Sequence, residues 1–264
     1  MEPGTGTTTR RIALEIQYDG TCFNGWQIQN GGRTVQGELE KALLILLKQT
    51  IRVTASGRTD SGVHALAQVV HFDTSGTLHL QKICIGLNGI LPRDCAVKNA
   101  FLPGHDFHAR FSAVEREYRY LIHNHPLRSP FMMHRSMWVH ERLDVDYLRE
   151  AFGHLVGEMD FSSFCKKKGA AGINTVRRIN EIKVVRRNDM VQIDISGNAF
   201  LHNMVRIMVG TVVEMNIKKQ DPGVIPGIIE KKDREFSGFT APAYGLYLMK
   251  VTHMPRLSDS ESAF

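Results

Sequence analysis

The segment Gly57-Arg58-Thr59-Asp60-Ser61-Gly62-Val63-His64 gathers a carboxylate, a guanidinium, two hydroxyls and an imidazole around two glycines. A tight glycine-punctuated loop holds its side chains in place. A carboxylate so held can attack an electrophilic carbon or anchor a cation, although the commoner role of a loop aspartate is to form a turn or cap a helix. A second charged residue narrows the choice. Arg206 lies in a helical run with Phe200, Met204, Ile207, Met208 and Thr211 on one side and Val205, Val209, Val212 and Val213 over much of the rest. A guanidinium there needs a carboxylate or phosphate partner, because an unpaired buried charge is strongly unfavourable. Asp60 is the candidate. A snorkelling arginine or a purely structural ion pair fits the same pattern.

A third stretch interleaves rings and cations: Asp106-Phe107-His108-Ala109-Arg110-Phe111-Ser112, then Glu115-Arg116-Glu117-Tyr118-Arg119-Tyr120. Such interleaving suits RNA, since rings stack on splayed bases and guanidinium groups hold phosphates. It also suits an ordinary strand with Tyr118 and Tyr120 in the core and Arg119 in solvent. The run Lys166-Lys167-Lys168 reads as an exposed basic loop, which becomes a phosphate clamp in a nucleic-acid protein. The 12 histidines include the pairs His105/His108 and His123/His125, but neither has a cysteine or carboxylate at zinc-site spacing, so no metal is expected. No phosphate-binding loop, dinucleotide fingerprint or G-x-S-x-G elbow occurs, so no nucleotide cofactor is expected either.

The elements that must position these residues follow a repeated order. Alternating Ile12, Leu14, Ile16 and Tyr18 predict a strand closed at Asp19-Gly20, and helical spacing from Thr34 to Lys48 predicts a helix with Thr34 as N-cap. Strands at Ile51–Ala55 and Ala67–Phe72 flank the Asp60 loop. A helix at Leu80–Ile90 and a strand at Ala96–Phe101 follow, giving β-α-β-β-α-β. The second part predicts a strand at Tyr118–His123, a helix at Val145–Val156 and a hairpin of Ile179–Val185 with Val191–Ile195, turning at Asn188-Asp189. Helices at Phe200–Met215 and Val224–Glu230 and a strand at Tyr247–Val251 complete it. The expected fold is α+β: two ferredoxin-like halves forming a continuous, mostly antiparallel sheet with helices on one face. Expected boundaries are a flexible N-terminus at 1–9, domains at 10–112 and 113–254, and a flexible tail at 255–264.

With 264 residues, 42% hydrophobic, the chain can bury a substantial core. Lys plus Arg exceeds Asp plus Glu by 33 to 27, a formal charge of +6, which favours a polyanionic partner without requiring one. The four cysteines, Cys22, Cys84, Cys95 and Cys165, form no C-x-x-C pair and fit a reducing cytoplasm. No stretch approaches the length of a membrane span, and residues 1–9 have no apolar leader region.

A series of short blocks runs along the chain, beginning with Tyr18-Asp19-Gly20, Phe23 with Gly25-Trp26-Gln27, and Gly57-Arg58-Thr59-Asp60 with Gly62-Val63-His64. It continues through Asn88, Leu91-Pro92 and Asp94, Phe107 to Phe111, Tyr118-Arg119-Tyr120, and Asp160-Phe161 with Phe164. Asn198-Ala199-Phe200 with His202, Met204-Val205-Arg206 and Gly245-Leu246-Tyr247-Leu248 complete it. Taken in order, these blocks resemble the TruA family of tRNA pseudouridine synthases. Ser61 stands where the family block has alanine.

The resemblance implies that Asp60 is the nucleophile of a uridine isomerisation in which the base detaches, turns over and rejoins through C5, with no cofactor or metal. It implies that Arg206 is the ion-pair partner of Asp60. Tyr118 would stack on the target base, with proton removal at C5 as a second role, and Leu246 would pack nearby. Arg58 would support the flipped nucleotide, while Phe107, His108, Ala109, Arg110 and Phe111, with Lys166, Lys167 and Lys168, would contact RNA. The implied substrate is uridine at positions 38 to 40 of the tRNA anticodon stem-loop, and the implied assembly a homodimer.

Two other readings compete. A non-catalytic RNA-binding protein on two ferredoxin-like units would share the basic charge and aromatic strips, but gains nothing from aiming Asp60 at a polyanion. A carboxylate hydrolase such as a glycosidase needs two acids flanking the scissile bond, and the motif region supplies only Asp60.

Overall fold

The computed structural model describes residues 9–166 and 172–264. By its contacts the chain divides into two compact units, residues 1–114 with 250–264, and residues 115–249.

The first unit starts with β1 (Arg10–Tyr18), in which Ile12, Ala13, Leu14 and Ile16 are buried. Helix α1 (Val35–Leu47) begins where expected: the Thr34 side chain accepts from Gly37 N, and Lys48 ends the helix in the left-handed region. Its buried stripe is Val35, Leu39, Ala42 and Leu43. The strand expected at Ile51–Ala55 shortens to β2 (Thr54–Ala55), which pairs with β3 (His64–Thr74). Ile51 and Val53 are buried without joining a ladder, so hydrophobicity there marks core rather than strand. Helix α2 (Leu80–Ile90) buries Leu80, Ile83, Cys84 and Leu87 and leads to β4 (Cys95–Leu102). β1 lies between β3 and β4, antiparallel to both, with Leu14 opposite Val70 on one side and Ala100 on the other. The segment Pro255 to Phe264, expected as a flexible tail, carries β11 (Glu261–Ser262), antiparallel to β4.

The second unit is built on β5 (Ala113–Asn124), β8 (Val176–Arg187) and β9 (Met190–Gly197), ordered β5-β9-β8 with antiparallel pairing and closed at the far edge by β7 (Gly157–Asp160). The β8–β9 turn falls at the expected Asn188-Asp189, with Asn188 at φ 52°. A short β6 (Met137–Val139) runs parallel to β5. Helix α3 (Val145–Gly153) is capped by Asp144, whose carboxylate accepts from Asp146 N and Tyr147 N. Helix α4 (Met204–Ile217) is buried on nearly all sides, and α5 (Ile225–Lys231) follows. α4 starts four residues after the expected Phe200, because Asn203 takes a left-handed conformation at φ 62° and helical geometry begins only beyond it. β10 (Leu246–His253) ends this unit and carries the chain into the first, contributing Leu246 to Met249 here. The chain is therefore α+β, with strands and helices both contributing to the buried core.

Candidate active site

Asp60 sits in the loop 56–63 between β2 and β3, and that loop is tied down along its length. Ser56 donates from both N and Oγ to Val69 O at 2.9 Å, and Gln68 Nε2 donates to Gly57 O at 2.9 Å. The middle is sewn to residues 23–26: Trp26 N donates to Thr59 O at 3.0 Å, Gly62 N to Phe23 O at 3.3 Å, and Ser61 Oγ to Phe23 O at 3.2 Å. Val63 N closes the turn on Asp60 O at 3.1 Å, and Thr59 points inward, its hydroxyl 2.8 Å from Tyr18 Oη.

Two glycines permit this closeness. A Cβ on Gly25, which has φ +81°, would stand 2.7 Å from Thr59 O, and one on Gly20 would collide with Val63 O. The sequence blocks around Gly20 and Gly25 thus serve as the bed of the Asp60 loop. Asp60 is half-buried, Arg58 exposed.

The strip 107–111 belongs to the same unit. Phe107 and Ala109 are buried, while Arg110 and Phe111 are exposed, Phe111 to 76%. Phe111 stacks on the His108 ring with centroids 4.3 Å apart, and the Arg110 guanidinium lies 5.8 Å from the Phe111 ring centre. Beneath, His71 packs edge-on to His108 at 4.7 Å and His253 lies 5.1 Å from Phe107. Burial, then the neighbouring charges of Arg11 and His108, pull His71 down to about 4, so it is neutral near pH 7.

In the second unit the two tyrosines of β5 part ways. Tyr120 is fully buried, donates to Pro242 O at 2.8 Å, and is pushed well above the usual phenol range by burial. Tyr118 is half-buried, edge-on to Phe200 at 5.1 Å. Arg119, on the opposite face, pairs with Asp194 at 2.6 Å rather than standing alone in solvent.

Arg206 is held on two sides: its Nε donates to Ala241 O at 2.8 Å and its Nη1 to Asn203 Oδ1 at 2.9 Å. Residues 238–242 lie along α4 so closely that a Cβ on Gly210 would collide with Phe239 O, and Ala241 N donates back to Arg206 O at 3.0 Å. The same segment reaches Tyr120, and a Cβ on Gly245 would stand 2.7 Å from its ring, so Tyr120, Arg206 and the start of β10 at the buried Leu246 share one neighbourhood. Lys166 is exposed, its N–H donating to His202 O at 3.3 Å; Lys167 and Lys168 lie outside the described residues.

Asn203, Arg11, His71 and His253 escaped the sequence reading. Only the isolated position of Asn203 before a helical run could have signalled a cap. Among the described residues no group of three or more His, Cys, Asp or Glu side chains could hold a metal ion, and no helix is long and apolar enough to cross a membrane.

A family model described as tRNA pseudouridine synthase matches residues 15–112 and 151–253, covering the Asp60 loop, the 107–111 strip, α4 and β10. The chain belongs to the tRNA pseudouridine synthase family. It is 46% identical over 243 residues to the tRNA pseudouridine synthase A of Bacillus subtilis, covering 91% of this chain and 98% of that protein. The Herminiimonas arsenicoxydans protein of the same name is 41% identical over 263 residues, covering 97% of this chain and 94% of its own. That of Aliivibrio salmonicida is 43% identical, covering 92% of each. Among solved structures, a chain of the archaeal box H/ACA sRNP Nop10-Cbf5 complex matches 77% of this chain and 43% of its own length at TM-score 0.35 and 11% identity. As a member of the tRNA pseudouridine synthase family, the chain is an isomerase acting on tRNA.

Proposed function

We propose that this enzyme converts uridine to pseudouridine at positions 38 to 40 of the tRNA anticodon stem-loop, with Asp60 as nucleophile and Arg206 as its ion-pair partner. The observation that carries the proposal is the clamped loop 56–63, which fixes the backbone on both sides of Asp60 within a family-matched segment. A binding platform gains nothing from a carboxylate carried toward a polyanion on a backbone so firmly held.

In the reaction, the Asp60 carboxylate adds to the nucleotide at the ribose C1′ or at the base, and the N1–C1′ bond breaks. The base turns, a C5–C1′ bond forms, the carboxylate leaves, the C5 proton departs and N1 gains one. Atoms balance, so neither oxidant nor energy source is required. Arg206, already oriented through Ala241 O and Asn203 Oδ1, would hold the Asp60 carboxylate aimed. Tyr118 would stack on the extruded base beside Leu246, and Arg58 would support the flipped nucleotide. His108, Arg110 and Phe111, with Lys166 to Lys168, would contact the RNA backbone and loop bases, whereas Phe107 and Ala109, which the resemblance also placed among the RNA contacts, are buried and serve the strip from beneath.

The fold proposal is two ferredoxin-like halves whose strands form one continuous antiparallel sheet with helices on one face. The β4-β1-β3-β2 order of the first unit supports the halves. The family resemblance supports a homodimer, and the four unbridged cysteines support a cytoplasmic setting.

The test is pseudouridine formation in an unmodified tRNA transcript by wild type and Asp60→Ala, without added cofactor. Conversion by wild type alone, with both proteins binding RNA, is expected. Conversion by Asp60→Ala would remove the nucleophile assignment, and binding without conversion by either would favour the RNA-binding platform.

A further inference from the structure

The strip 105–112 is exposed yet has almost none of the freedom of a surface loop. Arg11 Nη1 donates to His105 O at 2.8 Å and Phe107 O at 2.7 Å, and Phe107 N donates to Gly104 O at 3.0 Å. His108 N donates to Ser112 Oγ at 3.0 Å, and Ser112 N returns to His108 O at 2.8 Å. Arg110 N and Phe111 N both donate to His108 Nδ1 at 3.2 Å.

At the centre, Ala109 is fully buried and held at both ends: its N–H donates to His71 Nδ1 at 3.1 Å, and its carbonyl accepts from His253 Nε2 at 3.0 Å. These bonds fix both tautomers, because a nitrogen that accepts carries no proton and one facing a carbonyl must carry one. His71 and His253 are 6% and 3% exposed, so their rings are themselves immobilised.

We infer that His71 and His253 are positioning residues: they grip Ala109 by its N–H and its C=O, and so fix the backbone from which Arg110 and Phe111 meet the RNA. The inference rests on the proposed RNA-contacting role of the strip. Neither histidine touches the substrate. Their effect is to prepay the ordering of the strip, which otherwise would be charged against binding. The signature is therefore in KM, with kcat preserved.

The test uses the full chain and an unmodified tRNA transcript, comparing wild type, His71→Leu, His71→Asn, Arg110→Ala and the double variant His71→Leu/Arg110→Ala. His71→Leu is expected to raise KM about tenfold and leave kcat within about twofold. Asparagine, whose Oδ1 falls near the lost Nδ1, should return KM to within about threefold of wild type. The double variant should be worse than Arg110→Ala by clearly less than the tenfold of His71→Leu, since both losses pass through one strip and only the Phe111 contact is left to lose.

A raised KM in Arg110→Ala beside wild-type behaviour in His71→Leu overturns the inference alone, as do losses that multiply in the double variant. An unchanged KM in Arg110→Ala removes the strip from RNA binding and the inference with it. Should His71→Leu fail to fold, amide exchange in the wild-type protein decides: the Ala109 amide should be protected like those of β3, and exchange at the rate of an open loop overturns the proposal.

Discussion

The two units hold their predicted functional side chains by different means. In the first, Asp60 and Arg110 stand on loops whose backbones are bound by partners far away in sequence, with Gly25 allowing residues 23–26 to press against Thr59. In the second, Tyr118 and Arg206 stand on β5 and α4, where regular hydrogen bonding already fixes the backbone and Ala241 and Asn203 only orient the head group. Loops admit an unusual approach to a ligand; regular elements resist perturbation. The proposed nucleophile, which would have to reach an extruded nucleotide, suits the first arrangement, and its proposed partner cation suits the second.

Substitutions can break that comparison. The largest effect is expected from Asp60→Ala, which should lower kcat by at least about 10³-fold in single-turnover assays without changing RNA binding. Arg206→Gln should lower kcat by about 10²-fold while the melting temperature stays close to wild type, since α4 does not depend on the guanidinium to form. Gly25→Ala and Gly210→Ala sharpen the contrast: each forces a Cβ against a carbonyl, and each should lose about 3 kcal/mol in urea denaturation. Gly25→Ala should also impair kcat in the folded protein, by displacing Thr59 and with it Asp60. A large kcat loss in Asp60→Ala beside wild-type-like kcat in folded Gly25→Ala would show that the loop's bed is dispensable.

The smallest effect concerns pH. His71, buried beside Arg11 and His108, is held down to about 4 against the opposing pull of Asp73, from an unfolded value of about 6.5. Above 6.5 both states are neutral and its contribution is complete; as pH falls from 6.5 toward 4 the unfolded chain takes up a proton the folded one refuses, and stability declines. Asp73, lowered by its hydrogen bond from Arg11, adds a loss at lower pH, as its carboxylate protonates. Urea midpoints between pH 7 and 4.5 should fall less steeply for His71→Asn than for wild type, and identical slopes would exclude His71 as the source.

What could be seen in advance follows the range of the forces involved. Helix α1 and its Thr34 cap were legible because cap and stripe lie within a few turns of one another. The hairpin at Asn188-Asp189 was legible for the same reason. The start of α4 was placed too early because Phe200 continues the apolar spacing, whereas the left-handed Asn203 interrupts the backbone. The strand at Ile51–Ala55 was overdrawn because burial and ladder pairing leave the same apolar mark. Asp60, Tyr118, Arg206 and the 107–111 strip came from recognisable blocks, but the histidines beneath the strip did not. His71 lies 38 residues from Ala109, and His253 lies 144 residues away, distances over which no local pattern signals a contact.

The last of those separations bears on how the molecule is made. A ribosome delivers Ala109 well before His253, with the whole of residues 115–249 in between. During translation the strip must wait with the carbonyl of its central residue unclasped while the second unit is synthesised and begins to fold. The surface proposed to meet tRNA is thus among the earlier parts of the chain to emerge and among the last to be finished.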